Sequence, residues 1–358
     1  MISPLMDQIL QAAVTNGASD IILRSGHPVV FRIQGELTTV ESELPGEPDL
    51  KALWKASGAE GNEWDRDASL TTGEGVRFRV NLLRQLGLRG AVLRRIQDQI
   101  PAMESLGLPC EILREWAGRP SGIVIVCGAT GSGKSTTLAS VLDWINGNQA
   151  RHIVTIEDPV EFLFTGKKAF FTQREVGVDT PSFAEGLRRS LRQNPDIILL
   201  GEIRDALSAL TAIQAAETGH LVFATVHSSG CADVVARLEL LFPPGEREAV
   251  RKTLAEQLHG VLCQRLLPTV SGGRALLCEY FSNGGSSRRL IVEGRMNELQ
   301  DFVSRGDPRN ARSFADSLLQ LVRKGIVSEA VALENTDNPQ EFTRALRGIS
   351  SASQATRR

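Results

Sequence analysis

Eight consecutive residues, Gly128-Ala129-Thr130-Gly131-Ser132-Gly133-Lys134-Ser135, fit G-x-x-x-x-G-K-[ST] at every fixed position. The chemistry of that spacing is phosphate binding. Glycines let the backbone wrap so that its N–H groups face phosphate oxygens, and a helix starting at the loop adds its positive end. In that role Lys134 reaches the β- and γ-phosphates, Ser135 ligates Mg²⁺ and Thr136 touches the α-phosphate, so ATP and Mg are the expected ligands. The alternative of a chance Gly/Ser turn lacks a reason for the strand-like GIVIVC before the loop and the helical TTLASVLDWI after it. A dinucleotide site is disfavoured because Gly131 and Gly133 sit in a loop too long for G-x-G-x-x-G and are followed by Lys-Ser.

Three further apolar runs end in polar groups. HIVTI ends in Glu157-Asp158-Pro159, DIILL in Gly201-Glu202-Ile203-Arg204-Asp205, and HLVFATV in His227-Ser228-Ser229. In an open α/β sheet the ligand sits at the carboxyl ends of the strands, so these groups are expected to converge on the phosphate loop. Glu202 follows four apolar residues, with Gly201 where an Asp is usual; it is expected to arrange Mg²⁺ and its waters. Glu157 is expected to position or deprotonate the attacking water, and the two roles are interchangeable at this level. His227 is suited to sensing the γ-phosphate, since either ring nitrogen can donate a hydrogen bond. Taken singly, a strand-end glutamate is a solvated turn residue and a lone histidine a structural one; beside a phosphate loop they form a site.

The elements that must position these groups follow from periodicity. Leu5, Ile9, Leu10, Ala13 and Val14 recur at helical spacing up to Asn16-Gly17. IILR (21–24), VVFRI (29–33), VRFRVNLL (76–83) and RGAVLRRI (89–96) read as strands, with a helix over 49–57, predicting a small α+β domain over 1–98. A linker with two prolines is expected over 99–110, and a hinge near 97–109. From Gly122 fully apolar strands alternate with helical patterns, which implies a parallel or mostly parallel sheet covered on both faces. This α/β domain is expected to run over 111–345, with helices after about 245 and a β insertion near 260–281. The polar SSASQATRR leads to an expectation of disorder over 346–358.

Composition limits the function classes. Of 358 residues, 42% are hydrophobic and 23% charged, which is a folded protein of about two domains. Net charge is −2 and aromatics make up 5%, so no nucleic-acid partner is expected and a strand-binding translocase is the weaker alternative. The basic residues are 33 Arg and 7 Lys, a bias toward the residue suited to phosphate and interface contacts. Cys110, Cys127, Cys231, Cys263 and Cys278 show no C-x-x-C pair and read as buried small hydrophobes. MISPLMDQILQAAV lacks the basic lead of a secretory signal, and no run approaches the ~20 apolar residues of a membrane span. A cytoplasmic protein is expected, its membrane association peripheral and through partners.

The ordered stretches GATGSGKSTTLAS, VTIEDPVEF, QREVGVDTPSFAEGLRRSLRQNPDIILLGEIRD and AAETGHLVFATVHSS resemble the Walker A, Asp, atypical Walker B and His boxes of the type II/IV secretion ATPases. GASDIILRSGHPVVFRIQGEL and VRFRVNLLRQLGLRGAVLRRI resemble that family's PAS-like N-terminal domain, and SFADSLLQLVRKGIVSEAVALENTDNPQEF its C-terminal end in the pilus-retraction, PilT-like branch. The resemblance implies an N-terminal PAS-like α+β domain followed by a RecA-like P-loop ATPase domain with C-terminal helices. It implies a homo-hexamer that drives type IV pilus retraction and twitching motility, acting on an inner-membrane platform protein of a pilus or secretion machine. SSRRLIVEG (286–294) keeps Arg289, Leu290, Ile291 and Glu293 of the branch's A-I-R-N-L-I-R-E element and loses the rest, which leaves a PilU-like accessory and a DotB-like secretion ATPase as alternatives. Two family arginines fifteen positions apart reach a neighbouring subunit's nucleotide, and Arg79 and Arg94 have that spacing; Arg77, Arg192 and Arg204 are secondary candidates. An arginine supplied in this way stabilises charge on the transferred phosphoryl group and is worth ~10³–10⁵ in rate in well-studied NTPases.

Overall fold

Alternation of apolar and polar residues builds the first sheet. In the computed structural model, which describes residues 2–33, 35–59, 63–96, 99–307 and 310–348, the chain divides into two compact units, Met1–Gln99 with Glu161–Leu163 and Ile100–Val160 with Phe164–Arg358. The tail expected to be disordered lies, from residue 349, outside the described residues.

The first unit contains α1 (Pro4–Thr15), β1 (Asp20–Arg24), β2 (Val29–Ile33), β3 (Glu36–Val40), α2 (Glu47–Ala56), β4 (Asp65–Thr71), β5 (Arg77–Gln85) and β6 (Leu88–Arg95). Ser3 caps α1 by accepting from the Met6 N–H. The strands form one antiparallel sheet in the order β3-β2-β1-β6-β5-β4. One face carries Ile21, Leu23, Phe31, Phe78, Val80, Leu82 and Leu93 into a core closed by Met6 and Leu10 of α1 and by Leu50, Leu53 and Trp54 of α2. The opposite face carries Asp20, Arg32, Arg79 and Arg94. Strands β3 and β4 are absent from the sequence reading: they are the two edges, and β3 is exposed at four of its five residues, so no alternation marks it.

The second unit contains α3 (Cys110–Ala117), β7 (Gly122–Cys127), α4 (Lys134–Asn148), β8 (His152–Glu157), β9 (Phe170–Glu175), α5 (Phe183–Ser190), β10 (Ile197–Leu200), α6 (Ala206–Glu217), β11 (Leu221–Val226), α7 (Cys231–Leu240) and α8 (Arg247–Gln257). It continues with β12 (Leu258–Pro268), β13 (Arg274–Ser282), α9 (Gly285–Val292), α10 (Met296–Arg305), β14 (Ala311–Arg312), α11 (Phe314–Arg323), α12 (Glu329–Glu334) and α13 (Pro339–Leu346). The sheet order is β14-β13-β12-β7-β11-β10-β8-β9, parallel from β12 to β9. β7, β10 and β11 are buried at every residue because helices cover both faces: Val124, Val126 and Phe223 pack toward Leu138 and Leu142 of α4, while Ile125, Ile198 and Val222 pack toward Ala212 of α6 and Val235 of α7. Leu318, Val327, Ala332 and Phe342 form a smaller core against Leu267 and Leu277 of the β12–β13 hairpin.

Two expectations change. The hairpin near 260–281 is not an insertion: β12 pairs in parallel with β7, up to Cys263 opposite Cys127, and so extends the main sheet. Most of the stretch expected as a linker belongs to the second unit, because Met103 and Leu108 are buried in its core and the Ser140 hydroxyl donates to the Pro101 carbonyl at 2.7 Å. Prolines alone suggested a free connector; the apolar residues between them tie it down.

Candidate active site

Register places the site. Counting across the sheet, Gly128 follows the end of β7, His227 the end of β11 and Glu202 lies two residues past the end of β10, while Glu157 is the last residue of β8. Those strands are adjacent and parallel in that order, with Cys127 opposite Val226, Leu200 opposite Ala224 and Leu200 opposite Ile156. The polar groups therefore stand along one edge, as the strand-end argument requires.

The phosphate loop turns through three glycines of positive φ, Gly128, Gly131 and Gly133, and Gly133 caps α4 with Lys134 as its first residue. Lys134 Nζ donates to the Gly128 and Ala129 carbonyls, both at 2.9 Å. Its charge is thus folded onto the loop, where phosphate oxygens would compete for it. Ser135 and Thr136 follow in the first turn of α4, at the positive end of a 15-residue helix.

At the end of β10 the backbone is tied to both neighbours. The Gly201 N–H donates to the Ile156 carbonyl at 2.8 Å, the Ile203 N–H to the Thr225 carbonyl at 3.0 Å, and the Thr225 hydroxyl to the Gly201 carbonyl. A Cβ at position 201 would stand 3.1 Å from the Ile156 carbonyl oxygen and 3.3 Å from Glu157 Cα, which gives a physical reason for glycine where an aspartate is usual. Glu202 is consequently fixed at the edge. Its Oε1 lies 3.1 Å from His227 Nε2 and its Oε2 accepts from Arg204 Nε at 2.7 Å, and Arg204 also lies 3.8 Å from Asp158. Glu157 is buried, and Thr155 donates to it at 2.7 Å. The structure thus joins Glu202, His227 and Arg204 directly and sets Glu157 on the neighbouring strand. A hydroxyl at Ser135 and a carboxylate at Glu202 are hard oxygen donors that fit Mg²⁺, a cation that takes one or two protein ligands and the substrate's phosphates; no cluster among the described residues would enclose a metal alone.

Beside the loop, on the β12 side, a cavity of about 970 Å³ opens between Gly133, Thr136 and Thr137 and the side chains of Arg274, Tyr280 and Arg312. It is large enough for the nucleoside half of a nucleotide.

The arginine pair lies in the first unit. Arg79 of β5 and Arg94 of β6 are direct cross-strand partners, and Arg94 is in turn opposite Asp20 of β1. Asp20 is buried; it accepts from Arg94 Nε at 2.8 Å and from the Ser19 hydroxyl at 2.8 Å, and lies 3.5 Å from Arg32 Nε. The Arg94 side chain is 68% exposed, so its terminal nitrogens remain open to solvent. Like charges directly opposite each other are unfavourable unless an anion joins them. Of the secondary candidates, Arg77 donates to the Ser69 hydroxyl at 3.3 Å, and Arg192 is exposed in the short turn after α5.

Three residues of the site have no motif. Gln264 of β12, almost fully buried, donates from Nε2 to the Ser132 carbonyl at 2.8 Å and so grips the phosphate loop. Its neighbour Arg265, on the other side of the strand, donates to the Ser229 carbonyl at 3.3 Å, in the loop after His227. Glu279 of β13 accepts the Cys231 N–H at 2.9 Å, where that loop enters α7. The adjacent polar pair Gln264-Arg265 inside the apolar run GVLCQRLL is the one signal the sequence carried for them.

Below this edge four of the five cysteines are buried, all five are free thiols, and Cys127, Cys231 and Cys263 adjoin one another. Burial pushes the Cys127 thiol well up and that of Cys231 up to about 12; contact with Cys127, and then burial, raises Cys263. They are packing groups, as their isolated positions implied.

The type II/IV secretion system protein family matches residues 1–279 of the chain. The chain is 37% identical over 341 residues to the type IV pilus retraction ATPase PilT of Pseudomonas aeruginosa, covering 94% of this chain and 99% of that one. It is 35% identical over 346 residues to the type IV pilus ATPase PilU of the same organism, covering 94% and 90%. The crystal structure of the pilus retraction motor PilT with bound ADP matches at a TM-score of 0.87 and 37% identity, over 96% of this chain and all of that one. With the family model covering residues 1–279 and the relatives above sharing the fold, the chain belongs to the type II/IV secretion system protein family.

Proposed function

We propose that this protein is a hexameric, Mg-dependent ATPase that powers type IV pilus retraction. The observation that carries the reading is the contact of Glu202 with His227 at the sheet edge that also bears the phosphate loop. A nucleotide-binding scaffold needs the loop alone. A hydrolytic motor needs a carboxylate and a group that registers the γ-phosphate, and here the two are already joined.

In this reading Lys134 leaves the loop carbonyls for the β- and γ-phosphates, while the Thr136 side of the loop leads into the cavity that takes base and ribose. Mg²⁺, where bound, is held by Ser135 and, through water, by Glu202, and it supplies neutralisation of the phosphate charge. Glu157 positions or deprotonates the attacking water, and His227 donates to the γ-phosphate. Arg79 and Arg94 act in a neighbouring copy's site, for which Asp20 holds Arg94 by Nε and leaves its fork outward. Such a residue requires a ring closed by head-to-tail contacts. Nucleotide-driven tightening and loosening of those contacts would move the N-terminal domain against the ATPase domain and pass force to an inner-membrane platform protein from the cytoplasmic side. No helix among the described residues is long and apolar enough to cross a membrane, which agrees with a peripheral attachment through partners.

A PilU-like accessory role is the second reading, favoured by the partial retraction element in α9 and by the near-equal identity to PilU. Two measurements test the proposal: phosphate release by the purified protein, and deletion of its gene in the source organism. Turnover together with hyperpiliated, non-twitching cells is the expected outcome. Normally piliated cells that fail to export effectors would assign it to secretion, and purified hexamer that binds ATP without turnover would remove the motor altogether.

A further inference from the structure

Glu279 is a carboxylate in the interior that the hydrolytic scheme does not use. It is 3% exposed and makes no ion pair among the described residues. A buried charge is costly unless hydrogen bonds replace its water. Here the N–H of Cys231 does so, donating to the carboxylate at 2.9 Å. Cys231 is the first residue of α7, so the carboxylate serves the N-terminal end of that helix. That end carries partial positive charge and orphan N–H groups that favour an anion.

The need for this cap is local. The residue preceding α7 is Gly230, which has no side chain to cap it. The segment His227-Ser228-Ser229-Gly230 connects β11 to α7, and its other restraints are modest. The Cys263 thiol approaches the Ser228 carbonyl at 3.7 Å, Arg265 donates to Ser229 at 3.3 Å, and the Cys127 thiol approaches Gly230 at 4.0 Å. Thiols are weak donors. The Ser229 hydroxyl also donates to the Asp233 carboxylate at 3.2 Å; the charge-assisted bond from Cys231 to Glu279, at 2.9 Å, is the shortest of these and lies four residues from the imidazole that contacts Glu202.

We propose that Glu279 is a positioning residue for ATP hydrolysis, which caps α7 and thereby sets the His227 loop against Glu202. The proposal rests on the ATPase reading above.

The test uses the full-length assembled protein and steady-state phosphate release, with titration of a fluorescent ADP analogue to report the loop. Glu279→Gln keeps the shape and halves the acceptors; its kcat is expected to fall severalfold. Glu279→Leu removes both acceptors, and its kcat is expected to fall on the order of tenfold or more, with nucleotide affinity within about twofold of the parent. Adding either substitution to His227→Ala is expected to give no further fall, because both act through one group. Gly230→Ser, which gives α7 a cap of its own, is expected to restore part of the turnover lost in Glu279→Leu. A folded Glu279→Leu protein with parental kcat overturns the proposal, as does a double variant in which the two losses multiply. Should the leucine variant not fold, parental kcat in Glu279→Gln overturns it instead. A parent protein without turnover would refute the ATPase reading, a result distinct from an active parent whose variants are unaffected.

Discussion

Gly128 is the point at which the phosphate loop is pressed against strand β12, and replacing it by alanine separates the two demands made on the loop. Its φ of +147° is one that L-residues avoid. A Cβ there would lie 2.4 Å from the Gln264 carbonyl oxygen and 2.5 Å from the Ser132 hydroxyl, both well inside contact distance. Gly131 provides the control, since its φ is +77° but a Cβ would meet nothing within 4 Å. Left-handed backbone alone costs about 1–2 kcal/mol. Overpacking against backbone that cannot swing away adds about 1–3 kcal/mol. Gly128→Ala is therefore expected to destabilise the nucleotide-free second unit by about 3 kcal/mol, and Gly131→Ala by about 1. For a unit of this size each kcal/mol lowers Tm by roughly 2–4 °C, so the two variants should melt about 6–12 °C and 2–4 °C below the parent. Calorimetry without nucleotide measures this, followed by titration with ADP. The open space at Gly131 is where phosphate would lie, so Gly131→Ala should lose affinity out of proportion to its small loss of stability. Equal Tm for Gly128→Ala and the parent would refute the close packing of β12 on the loop.

Glu202→Gln should bind ATP with near-parental affinity while kcat falls on the order of a hundredfold, measured by phosphate release; unchanged turnover would remove Glu202 from the site. Arg94→Ala should bind nucleotide normally and lose on the order of 10³ in turnover, and parental turnover would end the interface-arginine reading. The thiols of Cys127, Cys231 and Cys278 are raised chiefly by burial, and that of Cys263 by Cys127 contact and burial, so thiolate is scarce in all four. Iodoacetamide at pH about 8 should accordingly modify only the half-buried Cys110 in native protein and all five after unfolding; rapid native labelling of a second cysteine, read by mass spectrometry, would contradict that packing.

What was legible in the sequence followed from how many constraints each residue obeys. β7, β10 and β11 are buried on both faces, so their apolar runs stand out, and the phosphate loop combines four fixed positions with a strand and a helix. Glu202 and His227 were found because strand ends in a parallel sheet share one edge, although nothing in the chain showed that they touch. β3 and β4 pack at sheet edges where polar residues suffice, and they left no pattern. Arg79 and Arg94 were paired by spacing; only the β5–β6 register shows that the fifteen residues fold into a hairpin that sets them opposite each other. Gln264 and Glu279 were missed for a different reason: each acts on backbone groups far away in the chain, at Ser132 and Cys231, and a contact with backbone imposes no partner residue type.

Those contacts with backbone bear on how the site works as a unit. Gln264 and Arg265 are consecutive, and in a strand consecutive side chains point to opposite faces. One reaches the phosphate loop and the other the loop after His227, and Glu279, opposite Cys263 on the paired strand, holds the far end of that second loop. The β12–β13 hairpin thus grips both loops that would meet the nucleotide, from strands whose other ends pack on the C-terminal helices through Leu267, Leu277 and Leu318. A shift of those helices would move both grips together, because a hydrogen-bonded strand pair resists bending between neighbouring residues. If hydrolysis is coupled to work through this hairpin, substitutions at Leu318 that loosen the helices should change kcat and nucleotide affinity together, whereas a change in kcat alone would mean that only the grip on the loop after His227 has moved.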